Sequence, residues 1–178
     1  YDVLGRPLTA TRPDTSVTAY AYHGLTSSVT DALSQTTTTV KDSQGQVVSV
    51  TDALSQVTTY AYGPFGTLRL VTDPDGNLTS YAYDVRGNRI ASNDPNLGVW
   101  SYTFDTLGQV ASQTDAKSQA TSYSYDLLGR LTQRVEPDLT ATWVYDTATN
   151  GIGKLAIAST DGDYERVHSY DALGRPDQ

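Results

Sequence analysis

The residues best suited to chemistry in this chain are aspartates that recur at a fixed spacing. Paired carboxylates are the groups that carry general acid–base catalysis, and Asp84, Asp105 and Asp126 stand 21 residues apart. A catalytic pair needs two carboxylates at unique positions around one pocket, whereas these occupy the first position of a repeated turn. A carboxylate there accepts hydrogen bonds from nearby backbone N–H groups. We therefore predict that the repeated aspartates form turns and that none of them is catalytic.

Metal and cofactor chemistry have few candidate ligands in this sequence. The histidines are His23 and His168, far apart in the repeat, and the chain has no cysteine, so nitrogen and sulfur ligands do not converge. Asp73 and Asp75 lie at a turn, but a calcium site needs about six to eight converging oxygens. No phosphate-binding loop or nucleophile–base pair stands out. The sequence predicts no metal site, no cofactor and no enzymatic activity.

Charge limits the partners that this chain is expected to bind. Twelve Lys and Arg against 20 Asp and Glu give a net charge of -8, so the long-range field repels phosphate backbones and anionic lipids. No apolar run approaches the ~20 residues that span a bilayer. We expect neither a nucleic-acid partner nor membrane insertion.

The elements that position the aspartates repeat with a period of 21 residues. In the central units an aromatic residue is followed four positions later by a glycine, as in Tyr83 and Gly87. A short fixed period indicates supersecondary units that are buried by stacking on their neighbours. Residues 1–178 are interpreted as a single array of about eight such units. Because the chain has no methionine and starts within a repeat, we expect a fragment of a larger protein.

One unit contains two turn signals and two strand signals. The turns are Asp73–Gly76 and Asp84–Gly87, whose Asp-x-x-Gly pattern predicts a type I turn with a following bulge. The segments Leu78–Tyr83 and Arg89–Asn93 have the alternation and the length of half-buried strands. Turns about ten residues apart leave no room for crossover helices. The fold class is therefore predicted to be all-β, an antiparallel array of β-hairpins.

A pair of aromatic positions recurs in the first strand of most units. Cross-strand aromatic pairs contribute roughly 0.2–1 kcal/mol each, so a ladder of them is predicted to hold the sheet together. Exposed tyrosines beside Asp and Asn are also typical of carbohydrate-binding surfaces, with Tyr81, Tyr102, Tyr123 and Trp143 as candidates for stacking on sugars. Packing is favoured because the aromatics recur in every unit. Two breaks in the repeat, near Tyr22–Leu25 and Asp146–Gly153, are candidate bends.

The motif Tyr-Asp-x-x-Gly-Arg, complete in Tyr125–Arg130, resembles the YD repeat of Rhs (rearrangement hotspot) proteins. Some copies depart from it, and Tyr62 is followed by glycine in place of aspartate. The resemblance covers the whole chain. The signature residues are Tyr1, Asp2, Gly5, Arg6, Tyr62, Gly66, Tyr83, Asp84, Gly87, Phe104, Asp105, Gly108, Tyr125, Asp126, Gly129, Arg130, Tyr145, Asp146, Gly153, Tyr170, Asp171, Gly174 and Arg175.

The resemblance implies a strip of β-hairpins that forms part of a curved or spiral shell, as in bacterial Rhs toxins, Tc toxins and teneurins. Such a shell encloses or presents a toxin or effector domain and is secreted or displayed at the cell surface. No Rhs core segment or effector domain is recognisable in these 178 residues.

The leading hypothesis is a non-enzymatic structural segment. The alternatives are an extracellular carbohydrate-binding or adhesion module and a self-assembling filament or oligomer joined through exposed strand edges. The expected partners are correspondingly neighbouring repeats, like copies of the chain, an enclosed effector domain or a glycan.

Overall fold

A computed structural model describes residues 1–177, and this part of the chain is all-β. Its one helical element is a short 3-10 turn at Pro64–Gly66. The strands are β1 (Thr9–Thr11), β2 (Val17–His23), β3 (Thr26–Thr30), β4 (Thr36–Lys41), β5 (Val47–Thr51), β6 (Val57–Tyr62), β7 (Leu68–Thr72), β8 (Leu78–Tyr83), β9 (Arg89–Asp94), β10 (Gly98–Phe104), β11 (Val110–Thr114), β12 (Ala120–Tyr125), β13 (Leu131–Val135), β14 (Thr140–Tyr145), β15 (Leu155–Thr160) and β16 (Glu165–Val167).

The strands are distributed over two compact units. The first comprises Tyr1–Ala82 with Asn93–Asn96, and the second comprises Tyr83–Ser92 with the chain from Leu97 onward. In the first unit each strand from β1 to β7 pairs antiparallel with the strand that follows it. In the second unit the strands from β10 to β16 pair in the same way. The predicted all-β array of antiparallel hairpins is confirmed.

The strand boundaries follow the turn signals closely. β8 spans Leu78–Tyr83 as predicted, and β9 ends at Asp94, one residue beyond the predicted strand. Near Tyr22–Leu25 the shortened unit forms a tight hairpin, in which His23 pairs with Thr26 around Gly24 and Leu25. Between Asp146 and Gly153 the added residues form a longer loop, and the β14–β15 ladder still closes beside it. The turns therefore absorb the length differences between repeats.

Neither unit has a deep apolar core. Among residues 1–177 the buried side chains are small: Ala141, Ala156 and Thr121. Most strand residues are half-buried. Because little apolar area is withdrawn from water, the hairpins depend heavily on backbone ladders and on contacts between successive repeats.

The predicted cross-strand aromatic ladder is wrong. The register partners of the aromatic side chains are aliphatic or polar: Tyr60 faces Val71, Tyr123 faces Arg134 and Trp143 faces Ala158. The reason is geometric, because the aromatic pairs occupy alternate strands such as β10, β12 and β14. An intervening strand, about 4.8 Å from each, separates one pair from the next.

Candidate functional site

The repeated aspartates form the corners that connect the strands. In most corners one carboxylate oxygen, Oδ1, accepts the backbone N–H groups of the residues two and four positions later. For Asp84 these donors are Arg86 and Asn88, at 2.9 and 2.8 Å. The carboxylate thus satisfies two donors that the turn leaves without a strand partner. The same pair of bonds is made by Asp2, Asp31, Asp42, Asp52, Asp73, Asp105, Asp115, Asp126 and Asp171.

The fourth residue of each corner has a left-handed backbone conformation. At the corners that follow the signature aromatic residue it is glycine, for example Gly87 (φ +86°) and Gly108 (φ +84°). At three corners it is serine instead: Ser34, Ser55 and Ser118 have φ values of 61°, 64° and 63°. We refer to these two kinds as glycine corners and serine corners. The serine corners were not predicted from the sequence, although their Asp-Ala-x-Ser-Gln pattern is itself repeated.

Arginine follows the glycine at several corners and pairs with the aspartate of the same corner. The Nε of Arg130 lies 2.6 Å from Oδ2 of Asp126, and Arg6 and Arg175 make equivalent pairs with Asp2 and Asp171. The guanidinium of Arg130 also reaches the next corner, where its Nη2 lies 2.6 Å from Oδ2 of Asp146.

Two of these arginines, Arg6 and Arg130, also lie over aromatic rings of the next repeat. The guanidinium carbon is 4.1 Å from the ring centroid of Tyr22 for Arg6 and 4.4 Å from that of Tyr145 for Arg130. At the longer loop the ammonium of Lys154 is 5.2 Å from the ring of Tyr170. A cation over the face of an aromatic ring is attracted by the ring quadrupole. These contacts connect a corner to the repeat that follows it.

The signature tyrosines bond back to the repeat that precedes them. The hydroxyl of Tyr125 donates to the carbonyl of Val110 at 3.0 Å, and Tyr62 donates in the same way to Val47. Tyr170 makes the equivalent bond to Leu155 at 2.7 Å. Burial raises the pKa of Tyr125, with smaller contributions from Tyr123 and Asp105. The phenol therefore remains a neutral donor at ordinary pH.

Hydrogen bonds keep several corner carboxylates ionised. The backbone N–H of Arg130 and its side chain lower the pKa of Asp126, and the same pattern lowers that of Asp2. For Asp84 the largest cause of the lowered pKa is the side-chain amide of Asn88. Asp146 and Arg130 strengthen one another's charged forms, so the pKa of Asp146 is lowered and that of Arg130 is raised. These are properties of turn-forming anions.

The corner at residues 63–66 lacks the aspartate and keeps its backbone turn. Gly63 donates to Thr67 O at 2.8 Å and accepts from Gly66, while Phe65 adopts a φ of 67° with its ring fully exposed. A Cβ at Gly63 would lie 2.5 Å from Cδ of Arg69. Glycine at this position therefore leaves room for the arginine chain.

The four residues proposed for glycan stacking, Tyr81, Tyr102, Tyr123 and Trp143, are all half-buried. The guanidinium carbon of Arg89 lies 5.6 Å from the ring centroid of Tyr102 and covers one of its faces. Sugar stacking at these residues stays a prediction.

Within residues 1–177 no three side chains of the His, Cys, Asp or Glu type gather closely enough to hold a metal ion. This part of the chain also contains no helix with the length and apolar character needed to cross a bilayer.

Solved structures with the same fold come from Tc toxins. A TcdB2-TccC3 crystal structure is 18% identical with a TM-score of 0.83, and the match covers 99% of this chain and 11% of that chain. A Tc holotoxin pore from Photorhabdus luminescens is 16% identical with a TM-score of 0.75, covering 89% of this chain and 10% of that one. The chain thus spans about a tenth of the length of these proteins.

No curated protein matches the chain. The family model described as RHS Repeat matches residues 42–76, 64–98 and 104–141, together more than half of the sequence. The hairpin geometry agrees with this match, and the chain belongs to the RHS repeat family.

Proposed function

We propose that this chain is a structural wall segment of a secreted or surface-displayed bacterial protein, and that the wall encloses or presents a toxin or effector domain. The observation that carries the proposal is the set of contacts between successive repeats. Arg130 reaches forward to Asp146 and Tyr145, while Tyr125 reaches back to Val110. Contacts of this kind join repeat to repeat.

The distribution of burial supports a wall more than a catalytic domain. Because only small side chains are buried among residues 1–177, stability comes from each repeat contacting its neighbours, which is the energetic pattern of repeat arrays. Such an array is lengthened by adding units without redesigning a core. The fold shared with the Tc toxin structures supports the same role. There the matching region is 11% of a much longer chain, so the same hairpin array occurs as one segment of a larger protein.

The expected partners are neighbouring repeats or like copies of the chain. β1 pairs with β2 and β16 pairs with β15, so within residues 1–177 each of these strands has one unpaired side. An unpaired strand edge presents backbone donors and acceptors to a further strand. Addition of strands at these edges would continue the wall.

Limited proteolysis of the full-length parent protein tests the enclosure. A protease site inserted in the exposed loop between Asp146 and Gly153 should open the wall after cleavage, and the remainder of the parent should then be digested quickly. The matched control carries the same insertion without cleavage. Equal digestion of the toxin or effector domain in the intact parent and in isolation would show that the wall does not enclose it.

A further inference from the structure

The corners form a row of shallow grooves that repeat with the period of the sequence. The first groove is lined by residues that include Asp84, Asn88 and Phe104. The second, of about 260 Å³, is lined by the equivalent residues Asp105, Gln109 and Tyr125, together with Asp126. The third position along the row corresponds to Asp126, Arg130 and Tyr145. Each groove thus lies between the carboxylate of one corner and the aromatic ring of the next repeat.

Two positions of this kind are occupied by a guanidinium of the chain itself. Arg6 pairs with Asp2 and lies over Tyr22 at 4.1 Å. Arg130 pairs with Asp126 and lies over Tyr145 at 4.4 Å. The guanidinium of Arg6 thus has one carboxylate and one tyrosine ring as partners, and that of Arg130 has Asp146 as a second carboxylate partner.

The second groove has the same carboxylate and ring without a cation. The residue after Gly108 is Gln109, and its amide nitrogen donates to the carbonyl of Gly129 at 3.0 Å and not to Asp105. Oδ1 of Asp105 accepts two backbone N–H groups, but Oδ2 accepts no hydrogen bond from residues 1–177. Within that same range Asp105 forms no ion pair. The carboxylate of Asp105 could therefore accept a hydrogen bond and an ion pair from an external cation.

The first groove differs because it already contains polar partners. Asn88 donates its side-chain amide to Oδ2 of Asp84 at 2.9 Å. Arg86 places its own guanidinium on the rim, where it donates to the carbonyl of Thr106 at 3.0 Å. Its aromatic residue is Phe104, whereas the second groove has Tyr125 at the equivalent position. The second groove is consequently the better receptor for a cation.

We propose that the second groove binds the arginine side chain of a basic partner polypeptide. The guanidinium would donate to Oδ2 of Asp105 and lie over the ring of Tyr125, as Arg130 does one repeat further along. The exposed side chains of Leu107 and Leu127, which also line the groove, would contact the methylene groups of the arginine. The net charge of -8 favours the approach of a basic segment.

Arginine suits this groove better than lysine for a geometric reason. A planar guanidinium both stacks on a ring and donates two parallel hydrogen bonds, whereas an ammonium is a compact, strongly hydrated charge. This inference does not depend on whether the array encloses another domain.

The test is an NMR titration of the 178-residue chain with capped tripeptides. The probe is acetyl-Gly-Arg-Gly-amide, and the neutral isosteric control replaces arginine by citrulline. The ring signals of Tyr125 and the carboxyl carbon of Asp105 should shift with the arginine peptide alone. A lysine peptide should bind several-fold more weakly. Equal shifts with citrulline, or equal affinity for lysine, would overturn the proposal.

Three variants locate the binding. Asp105→Asn retains an oxygen for the two backbone N–H groups but removes the charge, and it should weaken binding by about tenfold. Gln109→Arg should fill the groove with an internal guanidinium and abolish binding, with the protein at least as stable as before. Asp115→Asn, at a serine corner, should bind normally. Unchanged affinity in both Asp105→Asn and Gln109→Arg would place the peptide elsewhere and refute the assignment.

Discussion

Glycine corners and serine corners make the same backbone turn, but they differ in the residue at the left-handed position and in the side-chain contacts beside it. Asp84 N donates to Asn88 O, and Asp31 N donates to Gln35 O, both at 3.0 Å. At the glycine corners the left-handed position costs little, because glycine has no Cβ. The serine corners adopt the same φ with a side chain present, at a cost of roughly 1–2 kcal/mol per residue.

The two kinds of corner also differ in the residue that follows. Arg6, Arg130 and Arg175 follow glycine, and each pairs with its corner aspartate. Gln35, Gln56 and Gln119 follow serine and form no ion pair. Ionic and cation–ring contacts between repeats are therefore concentrated at the glycine corners. The same aspartate-based turn therefore reverses the chain at the serine corners, and at the glycine corners it also connects one repeat to the next.

Acid should have the largest effect, because it acts on many corners at once. Where hydrogen bonds lower the pKa of an aspartate in the folded state, as for Asp2, Asp84 and Asp126, the unfolded state binds protons first as pH falls. The resulting stability is present above the unfolded pKa, near 3.9, and is lost as pH falls through the folded pKa.

Thermal melts followed by circular dichroism between about pH 6 and pH 2.5 check this expectation. The melting temperature should be flat above about pH 5 and fall steeply below about pH 4. Asp126→Asn should flatten part of that fall. A melting temperature that rises with acidification would contradict the assigned role of the carboxylates.

Removing the aspartate should cost more at a glycine corner than at a serine corner. Asp115→Ala leaves two backbone N–H groups without their acceptor and should lower the free energy of unfolding by about 1 kcal/mol. Asp126→Ala loses the same two bonds and also leaves Arg130 without one of its partners. Urea denaturation of both variants measures the difference. Equal losses would mean that the ion pair between Asp126 and Arg130 contributes no stability.

Alanine at the left-handed position should also destabilise a glycine corner more than a serine corner. Gly108→Ala forces a Cβ onto a φ of +84°, where no other atom lies within 4 Å, so its cost is one of backbone strain, about 1–2 kcal/mol. Ser118→Ala retains a Cβ that is already tolerated and should change stability by less than about 0.5 kcal/mol. Chemical denaturation compares the pair. A Ser118→Ala loss as large as that of Gly108→Ala would point to an unrecognised role for the serine hydroxyl.

Replacing a corner serine by glycine should give a small gain in stability. Ser55→Gly relieves the left-handed strain at a φ of 64° but gives the unfolded chain more freedom, so the net stabilisation should be about 0.5 kcal/mol. Differential scanning calorimetry measures it against Ser27→Gly, a strand residue for which destabilisation is expected. If Ser55→Gly destabilised the protein as much as the strand control, the serine corners would have to be considered unstrained.

Local turn chemistry was readable from the sequence because it acts within about five residues. The Asp73–Gly76 pattern predicted the type I turn, and the observed bonds from Gly76 N to Asp73 O and from Asp73 N to Asn77 O have that geometry. The strand at Leu78–Tyr83 followed from the spacing between two such turns. The serine corners were missed because serine seldom adopts a positive φ, and only its recurrence between Ala and Gln gave a signal.

Sequence alone therefore determined the period, the glycine corners, the hairpins and the family, because each of these depends on neighbours along the chain. Tertiary structure decided which residues connect one repeat to the next. Aromatic residues that match in the sequence were placed on alternate strands, so Tyr125 bonds to Val110 and receives no aromatic partner across its ladder. Strand register and the bulge between Ser124 and Tyr125 set those contacts, and both depend on how a strand pairs with its neighbour.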